Sequence, residues 1–151
     1  MTPWKRRAVA SRRGESGQSL VESAMVIPLI LLMFMGTVDV GRLLFAYIAL
    51  EEAVQEGATY GSYATGDPGW AVKIRNRVIT SSEHSEVTAA TVPDPVCVPE
   101  DTSTTPPTPG TVTVVATSNV PLLTPVGSVL FGGTFQLQAT VIATNLEGSC
   151  S

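Results

Sequence analysis

Histidine is almost missing from this chain: His84 is the only one in 151 residues. Cysteine occurs twice, at Cys97 and Cys150, too far apart to form a zinc-type ligand pair. Charge is also scarce, at 15% of residues, and nine Lys and Arg face thirteen Asp and Glu. That acidic balance excludes a nucleic-acid partner, which calls for a basic surface. A hydrophobic content of 44% argues equally against long disorder. No phosphate-cradling glycine loop, H-E-x-x-H or G-x-S-x-G motif is present. The chain is therefore expected to be no enzyme, with no cofactor, metal or small-molecule substrate, and His84, in the polar stretch SSEHSE, is expected on the surface.

The few charges are segregated. Residues 1–17 hold Lys5, Arg6, Arg7, Arg12 and Arg13 against Glu15 alone, whereas from residue 43 onward three cations, Lys73, Arg75 and Arg77, face ten acids. Between them lies SAMVIPLILLMFMGTV, Ser23 to Val38, without a charge. A basic flank beside an apolar run orients a membrane helix with its N-terminus in the cytoplasm and the acidic remainder outside. Sixteen helical residues reach only about 24 Å, and adding Leu20, Val21 and Glu22 brings the span to about 28 Å, close to the roughly 30 Å hydrocarbon thickness. Glu22 thus belongs to the bilayer boundary. Ala46 and Ala49 make no signal-peptidase site, because bulky Leu44 and Tyr47 stand two residues before them.

A carboxylate near the membrane calls for a partner, and no Lys, Arg or His lies between Arg13 and Arg42. Glu22 can snorkel to the cytoplasmic headgroups. Alternatively, hydrolysis after Gly17 would free an α-amino group on Gln18, one helical turn from Glu22, within reach in the same or a neighbouring subunit. Basic leader, Gly17, Glu22 five residues on and an apolar helix together resemble a type IV-class prepilin. More specifically, GQSLVESAMVIPLILLMFMGTVDVGRLLFAYIALEEAVQEGATYGS is similar to TadE-like proteins of the tight-adherence (Flp) pilus system. The features that carry the likeness are Gly17, Glu22, Pro28, the Asp39-x-x-Arg42 spacing and the small residues from Ala53 to Gly61. A weaker echo follows in PLLTPVGSVLFGGTFQLQATV. Ser23 stands where Flp-type processing sites usually carry an aromatic residue.

The resemblance implies a minor pilin or pseudopilin acting in pilus assembly. It further implies a prepilin peptidase that cuts between Gly17 and Gln18, pairing of the Gln18 amine with Glu22, and the membrane and other pilins or pilus-assembly proteins as partners. A permanently anchored extracytoplasmic binding protein that keeps its leader is the competing expectation. Asp39 and Arg42 stand on one helical face, as an interfacial pair or as a contact between subunits.

The expected fold is α+β, a long N-terminal transmembrane and amphipathic helix packed on a small antiparallel sheet. The domain map is a leader at 1–17, a transmembrane helix at 18–42 and an extracytoplasmic α/β domain at 43–151. Pro28 is expected to bend the helix, which runs from about Gln18 to Tyr63. Leu43, Tyr47, Leu50, Val54, Ala58 and Gly61 mark its inward face, and the Gly57-x-x-x-Gly61 step is expected against the sheet. A second helix, with Asp67 as N-cap and Pro68 at its first position, runs to about Thr80 with Ala71, Ile74 and Val78 inward and Lys73, Arg75 and Arg77 solvated. Strands are expected at Val87–Val92, Thr111–Thr117 and Phe135–Thr144, with an exposed Pro/Thr loop at 102–110. Val126, Val129 and Leu130 should form a short helical turn that packs over the sheet or, if exposed, meets another subunit. Cys97 and Cys150, both outside the cytoplasm in this topology, are expected to form a disulfide that ties the last strand's tail to the loop after the first strand, against the alternative of free or intermolecular thiols.

Overall fold

The computed structural model describes residues 15–83, 91–148 and 150. Helix α1 spans Glu15–Gly61, α2 spans Trp70–Glu83, and strands β1 (Val96–Val98), β2 (Thr111–Pro121) and β3 (Thr134–Thr144) form one antiparallel sheet in the order β1-β2-β3. A short helix, α3 (Pro125–Phe131), joins β2 to β3. This is the α+β arrangement of a long apolar helix on a small sheet.

α1 changes character along its length. From Gly17 to Val38 every side chain is exposed, including Leu20, Ile27, Leu31 and Phe34. Beyond residue 42 one stripe is buried: Ala46, Leu50, Ala53, Val54, Gly57, Ala58 and Gly61. Tyr47, expected inward, stays exposed, and Ala46, one residue earlier on the helix, takes the buried position. Leu50 and Val54 meet Ile74 and Val78 of α2 and Val112 and Val114 of β2 in one core, and burying each such side chain contributes about 1.5–3 kcal/mol.

Gly57 and Gly61 serve α2 first. A Cβ on Gly57 would lie 2.4 Å from Val78 Cγ2, and one on Gly61 would meet Ile74 Cδ1 at 2.8 Å and Val112 Cγ1 at 3.0 Å. The glycine step therefore seats a second helix as well as the sheet, correcting the sheet-only expectation. α2 itself begins later than Pro68. Gly69 adopts φ +73, its carbonyl accepts the Lys73 N–H, and Asp67 turns its carboxylate to the Lys73 ammonium instead of capping the helix.

β2 alternates strictly, with Val112, Val114, Ala116, Ser118 and Val120 buried. Leu137 and Ala139 of β3 continue that face, paired with Ser118 and Ala116. β2 extends four residues beyond its expected end. The expected strand at 87–92 lies outside the described residues except for Thr91 and Val92, where Thr91 bridges Thr117. The strand on the far side of β2 from β3 is instead β1, three residues between Pro95 and Pro99, too short for any periodicity to announce. His84 also lies outside the described residues.

Candidate functional site

Three features stand apart from ordinary core packing. The bare apolar half of α1 is the first. Gly17 sits near its start with no atom within 4 Å of where a Cβ would be, and Gln18 Nε2 donates to Glu22 Oε1 at 3.2 Å across one helical turn. Gly17, Gln18 and Glu22 thus all lie exposed on one continuous helix. Pro28 lies inside that helix, where the carbonyl it leaves without a donor needs a neighbouring helix or water.

Asp39 is the second, and its chemistry was not legible in advance. Its side chain is buried at 6% exposure. Oδ1 accepts the Leu123 N–H at 3.1 Å, while Oδ2 accepts the Thr124 N–H at 3.3 Å and the Thr124 hydroxyl. Thr124 is in turn the N-cap of α3, accepting the Gly127 N–H at 3.1 Å, with Pro125 at the first helical position. Arg42 lies within electrostatic reach of the same carboxylate. A Thr-Pro pair before an apolar stretch is a helix-start signal that could have revealed α3, but nothing in the sequence links it to residue 39. Val129, expected over the sheet, is 83% exposed. α3 faces the helix through its N-terminal turn, so the side of the turn carrying Val129 points away; the side chains of Val126 and Leu130 lie outside the described part.

The third is the polar end opposite α3. Cys97 and Cys150 are joined by a disulfide with a Cα–Cα distance of 5.9 Å. Cys97 lies within β1, not in a loop, so the bond ties the chain after β3 to the edge strand of the same sheet. Asn145 Oδ1 accepts the Thr65 hydroxyl at 3.0 Å, Glu147 accepts the Gly66 N–H, and the Leu146 N–H bonds Ser62 O at 2.7 Å. The end of α1 is thereby fastened to the end of β3.

The cations of α2 are committed within the chain. Lys73 pairs with Asp67 at 3.0 Å, and that hydrogen bond holds its ammonium above the usual lysine value. Arg75 pairs with Asp94 and donates to Val92 O, and Arg77 reaches Glu56 at 3.4 Å with its guanidinium 5.0 Å from the Tyr60 ring centre. Solvated as expected, these residues nonetheless make no free basic patch. Among the described residues no cluster of His, Cys, Asp and Glu could hold a metal ion.

The functional weight therefore falls on α1. Residues 17–59 match the family model described as TadE-like protein. Over this stretch α1 is similar to TadE-like proteins. The match begins at Gly17, runs through Glu22, Asp39 and Arg42, and ends within the small-residue stripe that packs on α2. It therefore covers both the bare and the packed half of the TadE-like helix. No curated protein and no solved structure matches the chain.

Proposed function

We propose that this protein is a minor pilin or pseudopilin that acts in assembly of a tight-adherence pilus. Residues 1–17 are its cytoplasmic leader, 18–42 its transmembrane helix and 43–151 its extracytoplasmic domain. A prepilin peptidase cuts between Gly17 and Gln18, and the new amine pairs with Glu22 of the same or a neighbouring subunit as apolar helices gather. The observation that carries this reading is the bare half of the TadE-like helix. The nineteen residues from Leu20 to Val38 are mostly apolar, no described part of the chain covers them, and the one acid among them lies a turn from the scissile position. In water that surface would aggregate; in a bilayer and then against other helices it is satisfied.

The intact mass of the protein isolated from its own cell tests this. Loss of residues 1–17 is expected. Gly17→Val should abolish that loss without disturbing the described fold, since the added Cβ meets no described atom beyond its own stretch of helix backbone within 4 Å. Glu22→Ala should insert normally yet fail to build pili. Retention of the leader in functional material would overturn processing and leave a permanent anchor that presents the outer sheet face, where Val96, Thr113 and Ile142 stand side by side.

A further inference from the structure

We infer that α3 and the two loops beside it bed into the outer leaflet of the membrane next to α1, with lipid acyl chain filling the cleft between them. This inference rests on the proposed transmembrane placement of α1 and adds a second membrane contact to it. The exposed apolar run of α1 ends at Asp39, about 28 Å of helix from Leu20, which is the depth at which the hydrocarbon gives way to headgroups. Asp39 is also the residue that holds Leu123 and Thr124. The clasp therefore fixes α3 at the level of the bilayer surface.

The cleft shows on which side of that level α3 lies. A cavity of about 230 Å³ is lined by Gly36, Asp39, Val40 and Leu43 of α1 and by Leu122, Gly127, Phe131 and Phe135, with the Asp39 carboxylate turned to Leu123 and Thr124. Gly36 stands three residues before Asp39, about 4.5 Å toward the membrane interior. Phe131 and Phe135 line the same cleft as Gly36, which brings this corner of the domain alongside the last turn before the clasp. Leu123, Val129 and Phe131 are 66%, 83% and 63% exposed, and on α1 the neighbouring Val40, Leu44 and Phe45 are exposed as well. These apolar side chains lie around the end of the exposed apolar run of α1, which favours lipid as the occupant over a separate protein.

Charge follows the same division. No Asp, Glu, Lys, Arg or His occurs from residue 102 to residue 146, so α3 and its flanks present nothing that the interface would repel. The one carboxylate at that depth, Asp39, accepts three hydrogen bonds from the α3 lead-in. Its burial at the edge of the bilayer is thereby satisfied from within the chain. An apolar element lying about 5–10 Å into the headgroup and acyl boundary is a known mode of peripheral insertion.

Depth-dependent fluorescence quenching tests the inference, using the full chain in lipid nanodiscs at one copy per disc. In a background carrying Trp4→Phe and Trp70→Phe, single tryptophans are introduced as Val129→Trp, Leu31→Trp or Leu146→Trp, all at exposed positions. Val129→Trp should lose emission to phosphatidylcholine brominated near the carbonyl end of its chains, and less to lipid brominated near the methyl end. Leu31→Trp should show the opposite preference. Leu146→Trp, beside Ser62 at the far end of the domain, should be quenched by neither. Quenching at Leu31→Trp without quenching at Val129→Trp overturns the inference while the transmembrane reading stands. No quenching at Leu31→Trp removes both. Shielding of Val129→Trp only in discs that hold two copies overturns the lipid assignment in favour of a second subunit.

Discussion

Thr124 gives its hydroxyl hydrogen to Asp39 and, with the same oxygen, accepts the Gly127 N–H at 3.1 Å. One side chain thus starts α3 and anchors it to the helix 85 residues earlier. The arrangement leaves little room: a Cβ on Gly127 would come within 3.1 Å of Asp39 Oδ2, Leu122 Cβ and Thr124 Oγ1. Because Asp39 sits where the bare half of α1 meets the packed half, the clasp sets the position of α3 relative to the exposed apolar half of α1.

Removing either partner should release α3. Thr124→Ala is expected to cost about 1 kcal/mol, the usual loss for an N-cap. Amide hydrogen exchange at Leu123, Thr124 and Gly127 should accelerate in both Thr124→Ala and Asp39→Ala. Because the two residues act through one linkage, the double mutant should be no worse than the more damaging single change. Additive effects would mean that the two contribute independently.

Packing of α2 on α1 depends on a missing side chain at residue 57. Gly57→Ala places a methyl group 2.4 Å from Val78 Cγ2, deep in the core, and is expected to destabilise by about 1–3 kcal/mol despite alanine's better helix propensity. Adding Val78→Ala should recover part of that loss by making room. Gly41→Ala, with nothing within 4 Å of the added carbon, should not destabilise. Denaturant midpoints of the three variants decide the matter.

The disulfide closes a loop 53 residues apart in sequence, which in a chain-entropy estimate contributes about 4 kcal/mol. Cys97→Ser together with Cys150→Ser should lower the denaturant midpoint accordingly. Fraying is expected first at β1, whose three residues pair on one side only. Equal stability of the parent and the double variant would show that the bond constrains nothing the fold does not already hold.

Acid should open the exposed Pro/Thr loop at its base. The Ser103 hydroxyl donates to Asp101 Oδ1 at 2.6 Å and the Ser103 N–H at 2.9 Å, and these bonds hold the carboxyl below its ordinary 3.8. For a group depressed by folding, the stabilisation is complete above the ordinary value and disappears as pH falls through the folded one. The Ser103 amide resonance should therefore titrate with a midpoint below 3.8, and Asp101→Asn should remove the transition.

Much of the architecture could be read before any coordinates. The charge-free run after Glu22 is long enough to stand out by itself, Thr111–Thr117 by its β-branched content, and the three- and four-residue spacing of Leu50, Val54 and Ala58 and the alternation in β3 are periodic, which reports the side of an element that faces away from water. Short or terminal elements escaped this reading. β1 has three residues between two prolines, and the start of α2 turned on whether Asp67 capped a helix or paired with Lys73, a choice between two local bonds of similar strength.

The bare and packed halves of α1 follow from sequence alone, because the cost of exposing apolar surface depends only on which residues occur and at what spacing. Only the tertiary structure decided what Asp39 does and where Val129 points. Those outcomes depend on contacts between residues more than eighty positions apart, where the chain's path through space brings donors to an acceptor and no periodicity spans the gap.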